Sequence, residues 1–217
     1  MIIWNQVKHL LTDFKQHMES IMELKISPNN SKLGKIPNIS TVPVADCIEC
    51  DECKDACYAL KAYKQYPSVR KAWKNNSQLQ RLDDRSIYAG LLIKWFDSKK
   101  KKPKLFRIHV AGDFIDQISL DAWIEVALSQ PLTKFLAFTK SANLEFSKIP
   151  SNLKIIHSQW IGKEKLNATG VNAWIEGDSR IPKDAFKCEG GAGKNTLKCD
   201  TCKACWSTEK DVVFGIH

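Results

Sequence analysis

The chain has 217 residues, enough for one full core and too few for two large domains. With 43% hydrophobic and 26% charged residues it has the make-up of a folded globular protein, which excludes a disordered or low-complexity chain. The net charge of +9 and a pI near 9.1 read first as a solvated basic surface and second as a surface for polyanions such as nucleic acid. No apolar run reaches the roughly 18 residues of a membrane span. The first 24 residues carry Lys8, Asp13, Lys15, Glu19 and Glu23 and do not read as a signal peptide. The expected location is therefore the cytoplasm, with no membrane partner.

In chain order, residues 2–24 place Ile3, Val7, Leu10, Leu11, Phe14, Met18, Ile21 and Met22 at helical spacing, an amphipathic packing helix. With the linker up to residue 29 it forms the first unit. Residues 30–217 form a single α/β domain. A loop rich in Asn, Ser, Gly and Pro leads to the first cysteines. A short helix follows from Tyr58 to Tyr66 and ends at Pro67. Ser68 caps a second helix over Val69 to about Asn75, and a third runs from about Asp84 to Phe96. Ser98 to Lys104 is a basic turn that reads first as a solvated loop and second as a phosphate contact.

Leu105 to Val110 reads as a strand with Phe106, Ile108 and Val110 on one face and Arg107 and His109 on the other. Ser119 caps a helix carrying Leu120, Trp123, Ile124, Ala127 and Leu128, which Pro131 ends. Lys134 to Thr139 and Leu153 to Ser158 are strands, and Asn172 to Glu176 is a fourth. Residues 140–152 are short for a full crossover helix. Strand, helix, strand in this order predicts right-handed crossovers and a parallel sheet of about four to six strands. The predicted fold is α/β, a parallel-sheet partial barrel with cysteine-rich metal-binding segments at both ends.

All eight cysteines fall into two groups. Cys47, Cys50, Cys53 and Cys57 are spaced C-x2-C-x2-C-x3-C. Cys188, Cys199, Cys202 and Cys205 close the chain. In a reducing compartment such groups are metal ligands rather than disulfides. Either group has the four thiolates of a [4Fe–4S] cluster, and the first has the bacterial ferredoxin spacing with Tyr58 in place of Pro. Zinc is the alternative metal. The expectation is one or two [4Fe–4S] clusters. His217 is either a ligand of the second site or a tail; His9 and His157 read as incidental.

Ligands of parallel sheets bind beyond the carboxyl ends of the strands. There the sequence offers His109, Asp113 and Lys140 as catalytic candidates, and Arg107, Gly112, Thr139 and Ser158 as cofactor-binding ones. His109 suits proton transfer, Arg107 and Lys140 anion binding, and Gly112 a close backbone approach. Trp160 reads as packing rather than as a stacking platform.

Several of these stretches resemble one family as a set: Asn30-Ser-Lys-Leu-Gly34, the first cysteine group ending Cys57-Tyr-Ala59, Phe106-Arg-Ile-His109-Val-Ala-Gly112-Asp113, Phe138-Thr-Lys140, and Cys199-x2-Cys202-x2-Cys205-Trp206 with Val213-Phe-x-x-His217. They are similar to the phage- and plasmid-borne gene product 88 domain over about residues 30–217. That likeness implies a mobile-element protein with cysteine-bound metal, acting in the bacterial host cytoplasm. More loosely, the layout resembles radical S-adenosylmethionine enzymes. Their C-x3-C-x2-C run is reversed here at Cys50, Cys53 and Cys57, and Ala111-Gly112-Asp113 stands where a Gly-Gly-Glu stretch would. This looser likeness implies a radical-type fold, S-adenosylmethionine as a cofactor, a reductant as partner, and modification of nucleic acid or a nucleotide. A non-catalytic, zinc- or cluster-stapled protein contacting nucleic acid or a host protein is the alternative.

Overall fold

The structure, a computed structural model, describes residues 23–50, 53–160, 170–190 and 197–215. The expected N-terminal helix, apart from its last residues, lies outside the described residues, as do His9 and His217. Helices α1 (Tyr58–Gln65), α2 (Pro67–Gln80) and α3 (Arg85–Asp97) precede strand β1 (Leu105–Arg107). Helix α4 (Gln117–Ser129) then leads to β2 (Lys134–Thr139), β3 (Leu153–Ser158), β4 (Asn172–Ile175) and β5 (Phe186–Lys187). A one-turn helix α5 (Cys199–Cys202) and a 3-10 turn (Ala204–Trp206) precede β6 (Val212–Phe214). All pairings are parallel, in the order β1-β2-β3-β4-β6-β5, and the sheet makes a half-barrel.

Both faces of this sheet are apolar, as expected for a parallel sheet covered on both sides. One face packs on α3 and α4, where Phe106 and Phe135 meet Phe96 and Trp123, all fully buried. Leu24 and Ile26 join this core. Among the described residues the opposite face has no long helix. Leu136, Ile156, Ala173 and Val212 are covered there by Leu33, Ile36 and Trp206, with Cys188, Cys199 and Cys205 packed alongside.

Strands β2 and β3 fall where their hydrophobic runs place them, and no helix occupies residues 140–152. Helix α2 departs from expectation. It begins at Pro67, whose ring presets the first helical turn, so Tyr66 and not Ser68 is the cap. It also runs on to Gln80, because its last turns bury Asn76, Ser77 and Gln80 as well as Leu79. Asp116 rather than Ser119 caps α4. Ser119 is the third helical residue of a capping box, its backbone N–H donating to the Asp116 carboxylate and its hydroxyl accepting from the Asp116 backbone N–H.

The largest correction concerns β1. It stops at Arg107, although the Ile108 N–H still donates to the Leu136 carbonyl at 2.8 Å. His109 then adopts φ +48°, a left-handed conformation. That residue reverses the alternation. The His109 ring turns to the helix side, edge-on to Phe114 at 4.9 Å, whereas Val110 packs on the opposite face. Arg107 and His109 therefore do not share a face.

The outer edge of β1 is covered by the chain that precedes the first cysteines. The Arg107 N–H donates to the Pro37 carbonyl, Ile39 N–H to Arg107, Val110 N–H to Ile39, and Thr41 N–H to Ala111. This pairing carries residues 42–50 to the carboxyl end of the sheet.

Candidate metal and ligand site

Three contacts seat the first cysteine loop over the ends of β1 and β2. The Asp113 N–H donates to the Asp46 carbonyl at 2.9 Å, the Ala142 N–H to the Glu49 carboxylate at 3.2 Å, and the Tyr58 hydroxyl to the Val110 carbonyl. Asp46 is fully buried and organises the approach. Its carboxylate accepts from the Val42 N–H at 2.8 Å and the Ser77 hydroxyl at 3.0 Å, and pairs with Arg81. Asn76 accepts from the Lys25 N–H and donates to the Lys25 and Ser40 carbonyls. The polar end of α2 thus clamps both segments that position the loop. Sequence reading missed Asp46, Asn76, Ser77 and Gln80 as a set. The signal was present as a helix whose apolar period gives way to Asn, Ser and Gln without a breaker.

All eight cysteines are free thiols. Cys50 and Cys53 bring their sulfurs to 3.7 Å. Within each group the thiols lie close enough for their charges to interact, Cys47 and Cys50 with Cys53, and Cys199 and Cys205 with Cys188 and Cys202. Among the described residues no three His, Cys, Asp or Glu side chains stand grouped at ligand spacing. The two groups therefore converge without closing on a point. Burial pushes the Cys47 thiol far above its ordinary range, Cys50 to about 11 and Cys205 to about 12. These thiols are protonated at neutral pH, so a metal entering either group must displace their protons.

The second group is hung on β6 and on the Asn30–Gly34 turn. Cys188 N–H donates to the Val213 carbonyl at 2.8 Å, and Cys199 N–H to the Lys32 carbonyl at 3.0 Å. The Asp200 carboxylate sits against Gly34, whose φ is +67°, and accepts from the Lys35 N–H at 2.8 Å.

The other expected site residues divide between scaffold and surface. Asp113 is buried; its carboxylate accepts from the Phe114 and Lys140 N–H groups, both at 2.8 Å, and burial raises its pKa above the ordinary carboxylate value. It ties the turn after β1 to the end of β2. Thr139 is buried and accepts from the Ser141 N–H at 3.0 Å. Gly112 makes its close approach to Thr41 rather than to open space. Ser158 ends β3, partly buried and in register with Ala173. Lys140 places its ammonium 5.5 Å from the Trp160 ring and near enough to Cys50 to favour its thiolate.

His109 is 2% exposed. The Gln80 amide donates to the Asp113 carbonyl at 2.9 Å, which fixes its orientation and leaves its oxygen to accept from His109 Nε2 at 2.8 Å. The imidazole is thus neutral with its proton on Nε2, and burial lowers its pKa to about 3. Because the folded pKa is depressed, the stabilisation is complete above the unfolded value near 6.5 and is lost as pH falls towards 3. By pH 5 the loss is about 2 kcal/mol. His109→Asn, which tolerates the left-handed backbone, should flatten the denaturation midpoint between pH 7 and pH 5. An unchanged slope in that variant would show that His109 is not the titrating group.

On the face opposite α3 and α4, Arg107 lies beside the second thiol group, near Cys199 and Cys205. Its guanidinium lies 4.1 Å over the Phe138 ring, Phe138 meets Phe214 edge-on at 5.6 Å, and the Lys32 ammonium lies 5.0 Å over Phe214. Arg107 Nε is buried without a hydrogen-bond partner. Neither cation has an ion-pair partner among the described residues. Arg107 favours the thiolates of Cys199 and Cys205, and Lys32 that of Cys199.

Fold and site together define a parallel α/β half-barrel with one thiol group over its strand ends and a second beside the face opposite α3 and α4. Residues 15–208 match the family model described as gene product 88, and the chain belongs to that family. Similar proteins include the gene 88 protein of Mycobacterium phage D29, 26% identical over 144 residues, which are 54% of this chain and 57% of that protein. The gene 88 protein of Mycobacterium phage L5 is also 26% identical, over 138 residues, 54% of this chain and 56% of that protein. The chain thus spans little more than half the length of these relatives. No solved structure matches it. Among the described residues no helix is long and apolar enough to cross a membrane.

Proposed function

We propose that this protein is an iron–sulfur protein working at the carboxyl end of its half-barrel. The observation that carries the reading is the seating of the first cysteine loop over the ends of β1 and β2, where parallel sheets bind their ligands. The donor types suit a cluster, with four free thiols per group whose charges interact with one another or with a basic side chain; loading would have to draw them together, since among the described residues no three stand at ligand spacing. Cys47, Cys50, Cys53 and Cys57 would hold one cluster, and Cys188, Cys199, Cys202 and Cys205 a second. A bound cluster supplies one-electron chemistry and calls for an external reductant. Lys140 offsets thiolate charge at the first group, and Arg107 and Lys32 do so at the second. Arg107 and Phe138 offer an anion contact and a planar surface to a nucleotide-like ligand. S-adenosylmethionine is one such ligand and the natural one to titrate.

A second reading rests on the Cys50–Cys53 separation of 3.7 Å. Two thiolates on one tetrahedral ion with bonds of about 2.3 Å stand about 3.8 Å apart. Corners of a four-iron cluster, one thiolate per iron, stand farther apart. The pair therefore suits a single zinc, and the protein would then be a zinc-stapled binding module.

Purification without oxygen, followed by a visible spectrum and assays of iron, sulfide and zinc, separates the two. A brown protein with about eight irons, two four-iron clusters, is the expected result. Cys53→Ser should lose about half of that iron while keeping its fold. A colourless protein with about two zincs, one per four-cysteine site, would replace the iron reading with the zinc one.

A further inference from the structure

Helices α1 and α2 form a hairpin that the metal reading does not use. The 27 residues from 56 to 82 contain no Asp or Glu, yet they hold Lys61, Lys64, Arg70, Lys71, Lys74 and Arg81. Arg81 pairs with Asp46, and Arg70 donates to the Tyr63 and Lys64 carbonyls, closing the end of α1. The four lysines are exposed, and among the described residues none has an ion-pair partner. They come in i, i+3 pairs, so each pair lies on one side of its helix. No residue from 60 to 75 is buried. Four aromatic residues accompany them. Tyr63 and Trp73 stack at 6.1 Å and 17°, and Tyr58 and Tyr66 are 59% and 50% exposed.

The other lysine-rich stretch, residues 98–104, is already partly engaged. Lys99 lies 4.5 Å over Trp95, and Lys102 bonds the Phe96 carbonyl and the Asp97 carboxylate. The hairpin is thus the basic surface with uncommitted charge and exposed rings together. Phosphates match the lysines, and unstacked bases match the tyrosines, which is the chemistry of single-strand binding. A duplex hides its base faces and would leave Tyr66 unused.

We propose that the α1–α2 hairpin binds single-stranded nucleic acid, with Lys61, Lys64, Lys71 and Lys74 on phosphates and Tyr66 on a base. Because α1 begins directly after Cys57, a strand held there is led to the carboxyl end of the sheet. The proposal rests on charge and exposure and is independent of the metal.

The test is fluorescence anisotropy of the full chain with labelled DNA and RNA single strands of about twelve nucleotides. If all four lysines contact phosphates, affinity should fall about 50-fold between 50 and 200 mM salt. The variant K61Q/K64Q/K71Q/K74Q should bind at least tenfold more weakly, with a flattened salt dependence. Tyr66→Ala should weaken binding about equally at every salt concentration. The tighter of the DNA and RNA arms names the natural strand. Wild-type binding by the quadruple variant would overturn the proposal, as would loss of binding in K100Q/K101Q/K104Q instead. Equal or tighter binding of the matching duplex would overturn the single-strand assignment. Metal content should be unchanged in the quadruple variant, so this test and that of the metal reading fail separately.

Discussion

Gly112→Ala is expected to cost the protein about 3 to 5 kcal/mol, a large share of the roughly 5–15 kcal/mol that holds a typical domain folded. Two effects add. Gly112 has φ +80°, where an alanine is strained by about 1–2 kcal/mol. A Cβ there would also lie 1.9 Å from Thr41 Oγ1 and 3.1 Å from Thr41 Cβ. Thr41 cannot simply withdraw, because its N–H is bonded to the Ala111 carbonyl as part of the cover on β1. Urea denaturation of the single variant, Thr41→Ala and the double variant checks this. Thr41→Ala removes a buried hydroxyl that has no partner, so its own effect should be small. The double variant should recover the clash with the hydroxyl and keep the backbone strain. If Gly112→Ala unfolds at the wild-type midpoint, the close approach of these segments is wrong.

Asp46→Ala should lower stability by about 3 kcal/mol and impair metal loading as well. The substitution leaves the Val42 N–H and the Ser77 hydroxyl without an acceptor in a buried place. Arg81 loses its partner too, but its side chain is 47% exposed, and water softens that part. The effect on metal follows from position. Cys47 is the next residue, and its N–H bonds to Val44 within the turn that Asp46 closes. Metal affinity at the first cysteine group should fall on the order of tenfold to a hundredfold, while the second group keeps its metal. A destabilised variant with both groups equally loaded would show that the clamp supports the fold alone.

The sequence made the middle of this fold readable and its edges much less so. β2 and β3 are continuous apolar runs between turn residues, and a strand buried on both faces looks like that in any context. The pattern overextends β1 because alternation continues through His109 in the letters, while the left-handed residue that reverses it leaves no mark on the pattern. The pattern cuts helix α2 short for the opposite reason. Its final turns bury amides and a hydroxyl, and periodicity counts only apolar side chains. The cysteine spacing announced thiol chemistry, but the position of the loop depends on residues 37–41 pairing beside β1, a contact between segments about seventy residues apart. The aromatic and cationic line from Arg107 to Lys32 draws on four separate segments, so no local window contains it.

The order of the last three strands bears on how the protein is made. β6 lies between β4 and β5, so the last of the described strands in sequence is inserted into the sheet rather than added at its rim. Until β6 is translated, β5 has no neighbour among the described strands, and Cys188 lacks the Val213 carbonyl that anchors it. A nascent chain paused after Cys205 already contains every thiol of the second group but not the strand that aligns them. Ordered assembly of that group therefore waits for residues 212–214, and a premature stop before them removes one edge of the sheet together with the site beside it.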